Sequence, residues 1–360
     1  MSLLTKQKSG KAMVFTEVGK PLLSKSYPLP ELSEGEVLVR NMCATICGSD
    51  LHTITGKRQE KTPTILGHEI VGRIVKLPEG NEISDHFGNK LKIGDKITWS
   101  VMAFCGRCEN CKKGIPQKCD FLKKYGHERV DSQRVFSGGF AEYTHLWKGT
   151  AIFKLSEDVA VTEQVWLNCA FATTMAAISR TNGLTNKKIL VVGAGALGVL
   201  AIPVSREQGS DSVTVVDPNK DRRELAKSFG ADYIFSPEEF FAQESGDYDV
   251  ILEMSGNYNA LIDGINRLSI GGVFVFVGSV FPMRDIGINP EQVVRRLHTF
   301  TGIHNYTPND LAQAVLFLEK YCTKYPFDLI SSPKSFGLDK CNEAFQFALE
   351  TNACRVRIEM

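Results

Sequence analysis

The sequence predicts an α/β chain of two domains, one rich in short β-strands and one built on a doubly wound parallel sheet. Three observations carry this. The first half alternates short apolar runs with Gly, Pro and charged turns, the pattern of many short strands. From Lys187 onward, strand-like runs alternate with helix-length segments, which is how a parallel α/β sheet reads. At 360 residues the chain is too long for one small core.

In order along the chain, the β-rich part runs to about Leu155 and includes Glu36–Arg40, Ile70–Val75 and Lys96–Trp99. The pattern changes near Val165. The parallel sheet is expected from Lys188–Val192, Val213–Val216, Asp249–Leu252, Val273–Val277 and a fifth strand near Thr299–Gly302. Helices are expected at Ala196–Gln208 and Lys220–Phe229, and an amphipathic one at Asn309–Tyr321. Short mixed elements complete the C-terminus.

Hydrophobic residues at 43% and charged residues at 23% are those of an ordinary soluble protein. A net charge of +1 provides no global field for nucleic acid or a membrane surface. The first nine residues are polar and lack the apolar core of a leader peptide. No apolar run reaches membrane-spanning length. Ten cysteines in such a context point to a reducing compartment and metal binding rather than disulfides. The expected location is cytoplasmic.

The segment Phe104-Cys-Gly-Arg-Cys-Glu-Asn-Cys-Lys-Lys-Gly-Ile-Pro-Gln-Lys-Cys119 concentrates four cysteines, Cys105, Cys108, Cys111 and Cys119. Four thiolates on a turn-rich loop close a tetrahedral zinc shell and leave no position for substrate. This lobe, about 104–120, is therefore expected to hold a structural zinc.

A Gly-x-Gly-x-x-Gly pattern, Gly193, Gly195 and Gly198, falls between the strand Lys188–Val192 and the following helix. The first glycine permits a tight turn, the second lets a pyrophosphate approach the backbone, and the third lets helix and sheet pack closely. Ala196 and Leu197 begin the helix, whose free N–H groups favour phosphate. Asp217 ends the next strand where a ribose-binding acid belongs, and it repels a 2′-phosphate, so NAD(H) is expected over NADP(H). Arg222, on the helix that follows, is counted with these cofactor contacts.

The remaining Cys, His and acidic residues fall into three patches: Cys47-Gly-Ser49-Asp50-Leu-His52, Gly67-His68-Glu69 and Asn168-Cys169. Cys47, His68 and Cys169 together offer a catalytic zinc three ligands and an open fourth position. Sequence distance leaves this to the fold. Taken alone, Cys169 on its apolar stretch reads more often as a buried core thiol, and His68 equally as a turn or core histidine.

Gly67-His68-Glu69, the four-cysteine lobe, Ser137-Gly-Gly-Phe-Ala-Glu142 and the nucleotide fingerprint, in this order, resemble the zinc-dependent medium-chain dehydrogenase/reductase family across essentially the whole chain. The resemblance implies a GroES-like catalytic domain over residues 1–165 and 305–360, with a Rossmann NAD-binding domain over 166–304. It implies that Cys47, His68 and Cys169 hold a catalytic zinc, so that the chain carries two zinc ions. Glu69 resembles the acid that lies close to this metal and enters its shell in some members. Asp50 resembles the residue that orients the metal-bound imidazole. The implied reaction is hydride transfer between an alcohol and NAD(H), with Ser49 and His52 relaying the proton. A homodimer or homotetramer is implied, with a small-molecule substrate and neither nucleic acid nor membrane as partner. A zinc-free quinone or enone reductase and a non-catalytic NAD-binding scaffold are the competing readings.

Cys47-Gly-Ser-Asp-Leu-His-Thr53, Pro116-Gln-Lys-Cys119, Lys124-Tyr-Gly-His127 and Gly302-Ile-His-Asn-Tyr-Thr-Pro308 resemble a subgroup associated with phosphonate catabolism. A phosphonate-bearing alcohol, a polyol and an amino alcohol are candidate substrates. The stretch Arg107–Arg134 carries eight Lys/Arg against four Asp/Glu. Some of these charges, or His127, are candidates to meet an anionic substrate. Val101, Met102 and Phe171–Met175 are candidates to line the pocket.

Overall fold

A computed structural model describes residues 8–80, 82–132, 134–242, 246–351 and 353–360. Most of the stretch read for a leader, residues 1–7, lies outside them. Among the described residues, nine strands precede the glycine fingerprint: β1 (Ser9–Phe15), β2 (Leu23–Pro28), β3 (Val37–Ile46), β4 (Thr64–Ile65), β5 (Glu69–Lys76), β6 (Lys96–Ala103), β7 (Lys123–Lys124), β8 (Tyr143–Leu146) and β9 (Thr150–Lys154). Six follow: β10 (Lys188–Val192), β11 (Ser212–Val216), β12 (Tyr233–Phe235), β13 (Tyr248–Glu253), β14 (Leu268–Phe276) and β15 (Thr299–Gly302). The C-terminal part adds β16 (Ser331–Gly337) and β17 (Arg355–Glu359).

The chain divides into two units. One comprises Met1–Cys169, Thr307–Lys320 and Phe327–Met360; the other comprises Ala170–Tyr306 and Tyr321–Pro326. The short segment Tyr321–Pro326 joins the second unit because Lys324 Nζ and the Tyr325 hydroxyl both reach Glu207 Oε1, at 2.5 Å each.

In the first unit, β3, β5 and β6 form the antiparallel centre of a sheet with the path β16-β17-β3-β5-β6-β7, while β8 pairs with β3 and β9 with β6. These central strands are buried on both faces rather than on one, β3 and β6 almost throughout. The buried Lys96 has its ammonium capped by the Val159 carbonyl at 2.9 Å. Val39, Ile46, Ile70, Ile74, Ile97, Trp99, Phe140 and Val356 build the core. The C-terminal β17 returns antiparallel onto β3, with Val356 opposite Ile46 and Glu359 opposite Cys43. That return brings a residue from the chain's end to the start of β5, and the site depends on it.

The second unit is a six-stranded parallel sheet in the order β12-β11-β10-β13-β14-β15. Its direction of winding reverses beside β10, the first strand in sequence, which is where such sheets take ligands at their carboxyl ends. Strands β10, β11 and β13 are runs of Val, Ile and Leu because helices cover both faces. Sequence reading places β10 and β15 at their observed bounds. It misses β12, only three residues long, and starts β14 too late. Strand β14 begins at Leu268 and runs through Gly271 and Gly272, Gly271 taking a φ of +75°.

Candidate functional site

Cys47 ends the β3 edge of a turn and caps the helix Gly48–Ile54, His68 precedes β5, and Cys169 sits in a π-helical turn, Leu167–Phe171. Their ligand atoms converge within 4.8 Å of one another. Asn168 explains how Cys169 gets there. Its side-chain amide donates to the carbonyls of His68 and Trp99, both at 3.0 Å, and its oxygen accepts from the Ile70 N–H at 3.2 Å. One wholly buried amide thus splices the cysteine-bearing turn to two strands of the sheet. The sequence places Asn168 beside Cys169 without showing this role.

Two sulfurs and an imidazole nitrogen at this spacing suit zinc, which prefers such a donor set. The electrostatics of the three ligands are uneven, one thiol being held down while the other thiol and the imidazole are held up. A hydrogen bond from Cys169, helped by Arg355, holds the Cys47 thiol well below the usual range against its burial. The same bond and burial push Cys169 up. Burial opposes charge on His68, but Asp50 and Cys47 outweigh it and raise the imidazole.

Around the three ligands, Asp50 is buried and accepts from the N–H groups of Cys47 at 2.9 Å and Gly67 at 3.3 Å. It therefore holds two ligand-bearing segments together. Its Oδ1 lies 3.7 Å from His68 Nδ1, an ion-pair separation rather than a hydrogen bond. Burial pushes the Asp50 carboxyl up to about 6. Ser49 Oγ is 3.5 Å from His68 Nε2. His52 lies three residues further along the same short helix and is half-buried, with burial and Lys57 holding its imidazole down.

Glu69 is fully buried and faces a group that local sequence does not announce. Arg355, at the start of β17, donates from Nε to Oε2 at 2.5 Å and from Nη2 to Oε1 at 2.7 Å. The Thr45 hydroxyl donates to Oε2 at 2.5 Å. Arg355 Nη2 also reaches Cys47 Sγ at 3.6 Å. The carboxylate is thus engaged by a bidentate guanidinium, and that guanidinium touches a metal-ligand sulfur.

The second cluster, Cys105, Cys108, Cys111 and Cys119, likewise brings its sulfurs within 4.8 Å. Backbone N–H groups of Arg107 and Cys108 point at Cys105 Sγ, at 3.5 and 3.3 Å, and those of Cys105 and Phe121 point at Cys119 Sγ, both at 3.3 Å. Such donors favour thiolate over thiol, and the Arg107 N–H draws Cys105 down to about 6. Four sulfurs and their amides fit a closed zinc shell.

In the second unit, Gly193 takes a φ of +99° at the end of β10, and Gly195 caps the helix Ala196–Glu207. A Cβ on Gly198 would fall 1.9 Å from the Gly193 carbonyl oxygen, so helix and turn pack only with glycine there. A Cβ on Gly195 would meet no heavy atom within 4 Å, leaving its backbone open to a phosphate. Leu197 follows in the first turn of this helix. Asp217 is buried just past β11, accepting from Ala194 N–H at 2.7 Å and Asn219 N–H at 2.8 Å, so it braces the glycine turn. Arg222 lies in the first turn of the helix Lys220–Ser228, its N–H held by the Asn219 side chain at 3.2 Å. Glu253, at the end of β13, is wholly buried and gathers the N–H groups of Ser255 and Gly256 at 2.8 and 2.7 Å. An acid closing an apolar strand was its only sequence signal.

The sequence family described as alcohol dehydrogenase GroES-like domain matches residues 33–157, and the one described as zinc-binding dehydrogenase matches 196–320. L-threonine 3-dehydrogenase of Pyrococcus furiosus is 32% identical over 353 residues, 92% of each chain. 5-exo-hydroxycamphor dehydrogenase of Pseudomonas putida is 27% identical over 332 residues, 89% of this chain and 90% of that one. Among solved structures, an alcohol dehydrogenase of Thermotoga maritima superimposes with a TM-score of 0.89 at 26% identity, covering 98% of this chain and 99% of that one. Acetophenone reductase of Geotrichum candidum, solved with NAD, shares the fold with a TM-score of 0.82 at 22% identity, covering 98% of each. Among the described residues no helix is long and apolar enough to cross a membrane. Two domain families matched in chain order, and a relative above 30% identity along nearly its whole length, show that the chain belongs to the zinc-dependent medium-chain dehydrogenase family, with its GroES-like and Rossmann-type domains and its use of zinc and NAD(H).

Proposed function

We propose that this chain transfers a hydride reversibly between NAD(H) and a polar or anionic alcohol, a phosphonate-bearing alcohol or a polyol being the leading cases, at Cys47, His68 and Cys169. The convergence of those three ligand atoms within 4.8 Å carries the reading. The relatives' names cover substrates as unlike as L-threonine and 5-exo-hydroxycamphor. The family match therefore fixes the class of reaction and leaves the substrate to this chain's own residues.

Zinc held by the three ligands supplies Lewis acidity toward an alcohol or carbonyl oxygen, and NAD(H) supplies the hydride acceptor or donor. The chain's residues do the rest. Ser49 Oγ, 3.5 Å from His68 Nε2, accepts the substrate's hydroxyl proton as its own proton passes to His52, which releases it toward solvent. A histidine suits that step because it changes charge near neutrality. Asp50 steadies His68 by its negative charge and fixes both flanking segments through their N–H groups. Arg355 keeps Glu69 engaged and out of the ligand set while stabilising negative charge on Cys47. Ala196, Leu197 and the three glycines receive the pyrophosphate, Asp217 the ribose, and Arg222 contributes nearby. Cys105, Cys108, Cys111 and Cys119 hold a second zinc whose work is to fix the lobe. Self-association into a homodimer or homotetramer and a cytoplasmic location complete the reading.

The test is turnover. Zinc-loaded protein is offered an alcohol panel with NAD and NADP in parallel, read by nicotinamide absorbance. Zinc-dependent NAD reduction supports the reading. Turnover of quinones or enones with no zinc requirement, or no turnover across the panel, would overturn it.

A further inference from the structure

A compact group of charges lies against His68 and has no part in the steps above. The turn that follows β7 is pressed onto the ligand segment. A Cβ on Gly126, whose φ is +79°, would sit 2.9 Å from the Gly67 carbonyl oxygen and 3.3 Å from His68 Cβ. Only glycine allows so close an approach. The turn thereby sets the His127 ring 5.3 Å, centroid to centroid, from the ring of His68. From another segment, Arg58 and Glu60 complete the group. Glu60 Oε1 is 2.8 Å from Arg58 Nε and 2.7 Å from His127 Nδ1, and Arg58 Nη2 is 3.4 Å from the same His127 nitrogen. The Glu60 and His127 side chains are each 8% exposed and that of Arg58 is 30% exposed, so the group is built into the fold with one cation at its edge. Lys124 stands at the head of the turn, opposite Met102 of β6, with its N–H donating to Glu128 Oε1 at 3.1 Å.

We propose that Arg58, Lys124 and His127 form the subsite that receives an oxyanion carried by the substrate, a carboxylate or a phosphonate, with Glu60 holding Arg58 and His127 in place. This rests on the reading of Cys47, His68 and Cys169 as the reacting centre. Arginine offers a planar fork and lysine a point charge, the pair of donors suited to an oxyanion. Lys124 lies on the same tight turn as His127, whose N–H donates to the Lys124 carbonyl at 3.2 Å, and burial with the charge of Arg58 pushes its ammonium down to about 8. An oxyanion brought beside both cations relieves that repulsion, which a neutral alcohol does not. The subsite thus selects alcohols whose hydroxyl lies a few bonds from an anionic group.

The experiment uses the zinc-loaded full chain and three simple probes, propionate, ethylphosphonate and 1-propanol, titrated calorimetrically against wild type, K124M and K124R. In wild type at least one anion binds at least about 30-fold more tightly than 1-propanol, and K124M weakens that anion by about 100-fold, the scale for losing one partner of a desolvated charge pair. K124R restores most of the affinity, which a misfolded variant could not do. The tighter of the two anions tells carboxylate from phosphonate. Anions that bind no better than 1-propanol, or equally well to wild type and K124M, would overturn the proposal, the second result assigning their binding to the metal alone. In turnover, K124M lowers the ratio of kcat/KM for L-threonine or 2-hydroxyethylphosphonate to that for a neutral alcohol, chiefly through KM; equal losses on both would contradict it. Lys124-dependent anion binding without any alcohol turnover would sustain the subsite while removing the assigned reaction.

Discussion

Removing the Arg355 guanidinium should expose how strongly this site is held together. Glu69 is fully buried and the Arg355 side chain is 6% exposed, with two contacts at 2.5 and 2.7 Å between them. Arg355→Met leaves a buried carboxylate with the Thr45 hydroxyl as its remaining side-chain donor in this arrangement. Breaking a buried pair from one side costs about 3–5 kcal/mol, because the charge left behind keeps its desolvation penalty. The sign with pH is fixed. Burial raises the Glu69 carboxyl and Arg355 opposes that, so the variant's Glu69 titrates still higher. A carboxyl whose folded value lies above its unfolded value loses stability as pH rises between the two, so the deficit is small below about 4 and complete above the raised value. Urea denaturation of zinc-loaded R355M at pH 5 and pH 8, followed by tryptophan fluorescence, reads this directly. The loss should be greater at pH 8, and E69Q/R355M should recover part of it. A loss under about 1 kcal/mol at pH 8, or no recovery in the double variant, would refute the reasoning.

Three further outcomes follow from other parts of the molecule. Asp217→Ser should raise the ratio of NADP to NAD use by at least about tenfold, read as kcat/KM for each cofactor; an unchanged ratio would remove Asp217 from selectivity. Gly126→Ala should lose at least about 2 kcal/mol, since its φ of +79° and the Gly67 carbonyl at 2.9 Å both oppose a methyl group; thermal unfolding checks it. Cys108→Ser should lower zinc content by one ion per chain and reduce thermal stability before it reduces turnover. A stable variant impaired only in hydride transfer would reverse the division of labour between the two cysteine clusters.

What could be read from sequence shares one property, a short span. The glycine fingerprint lies within six residues and the four-cysteine lobe within fifteen, so local spacing alone states their chemistry. Strand β10 was legible because its apolar run is bounded by a charge and a glycine. Cys47, His68 and Cys169 were legible only as separate patches, joined by resemblance, since nothing local says that a π-helical turn will carry Cys169 to His68. Arg355 was not legible at all. It lies 286 residues from Glu69 and reaches it only because β17 returns onto β3. Glu60 and Arg58 escaped for the same reason, their partner His127 lying on a turn 67 residues beyond Glu60. The expected bounds of β14 erred at its start, Val273 being expected where the strand begins at Leu268 and passes through Gly271 and Gly272.

The central claim is that Cys47, His68 and Cys169 hold the zinc at which an alcohol reacts, apart from the zinc of the lobe. Metal analysis and turnover measured together on wild type and Cys47→Ser test it most directly. The account predicts one zinc for each of the two donor clusters in wild type, and in C47S the loss of one zinc with NAD reduction falling by at least about 1,000-fold. A C47S protein that keeps both ions and full turnover would contradict it.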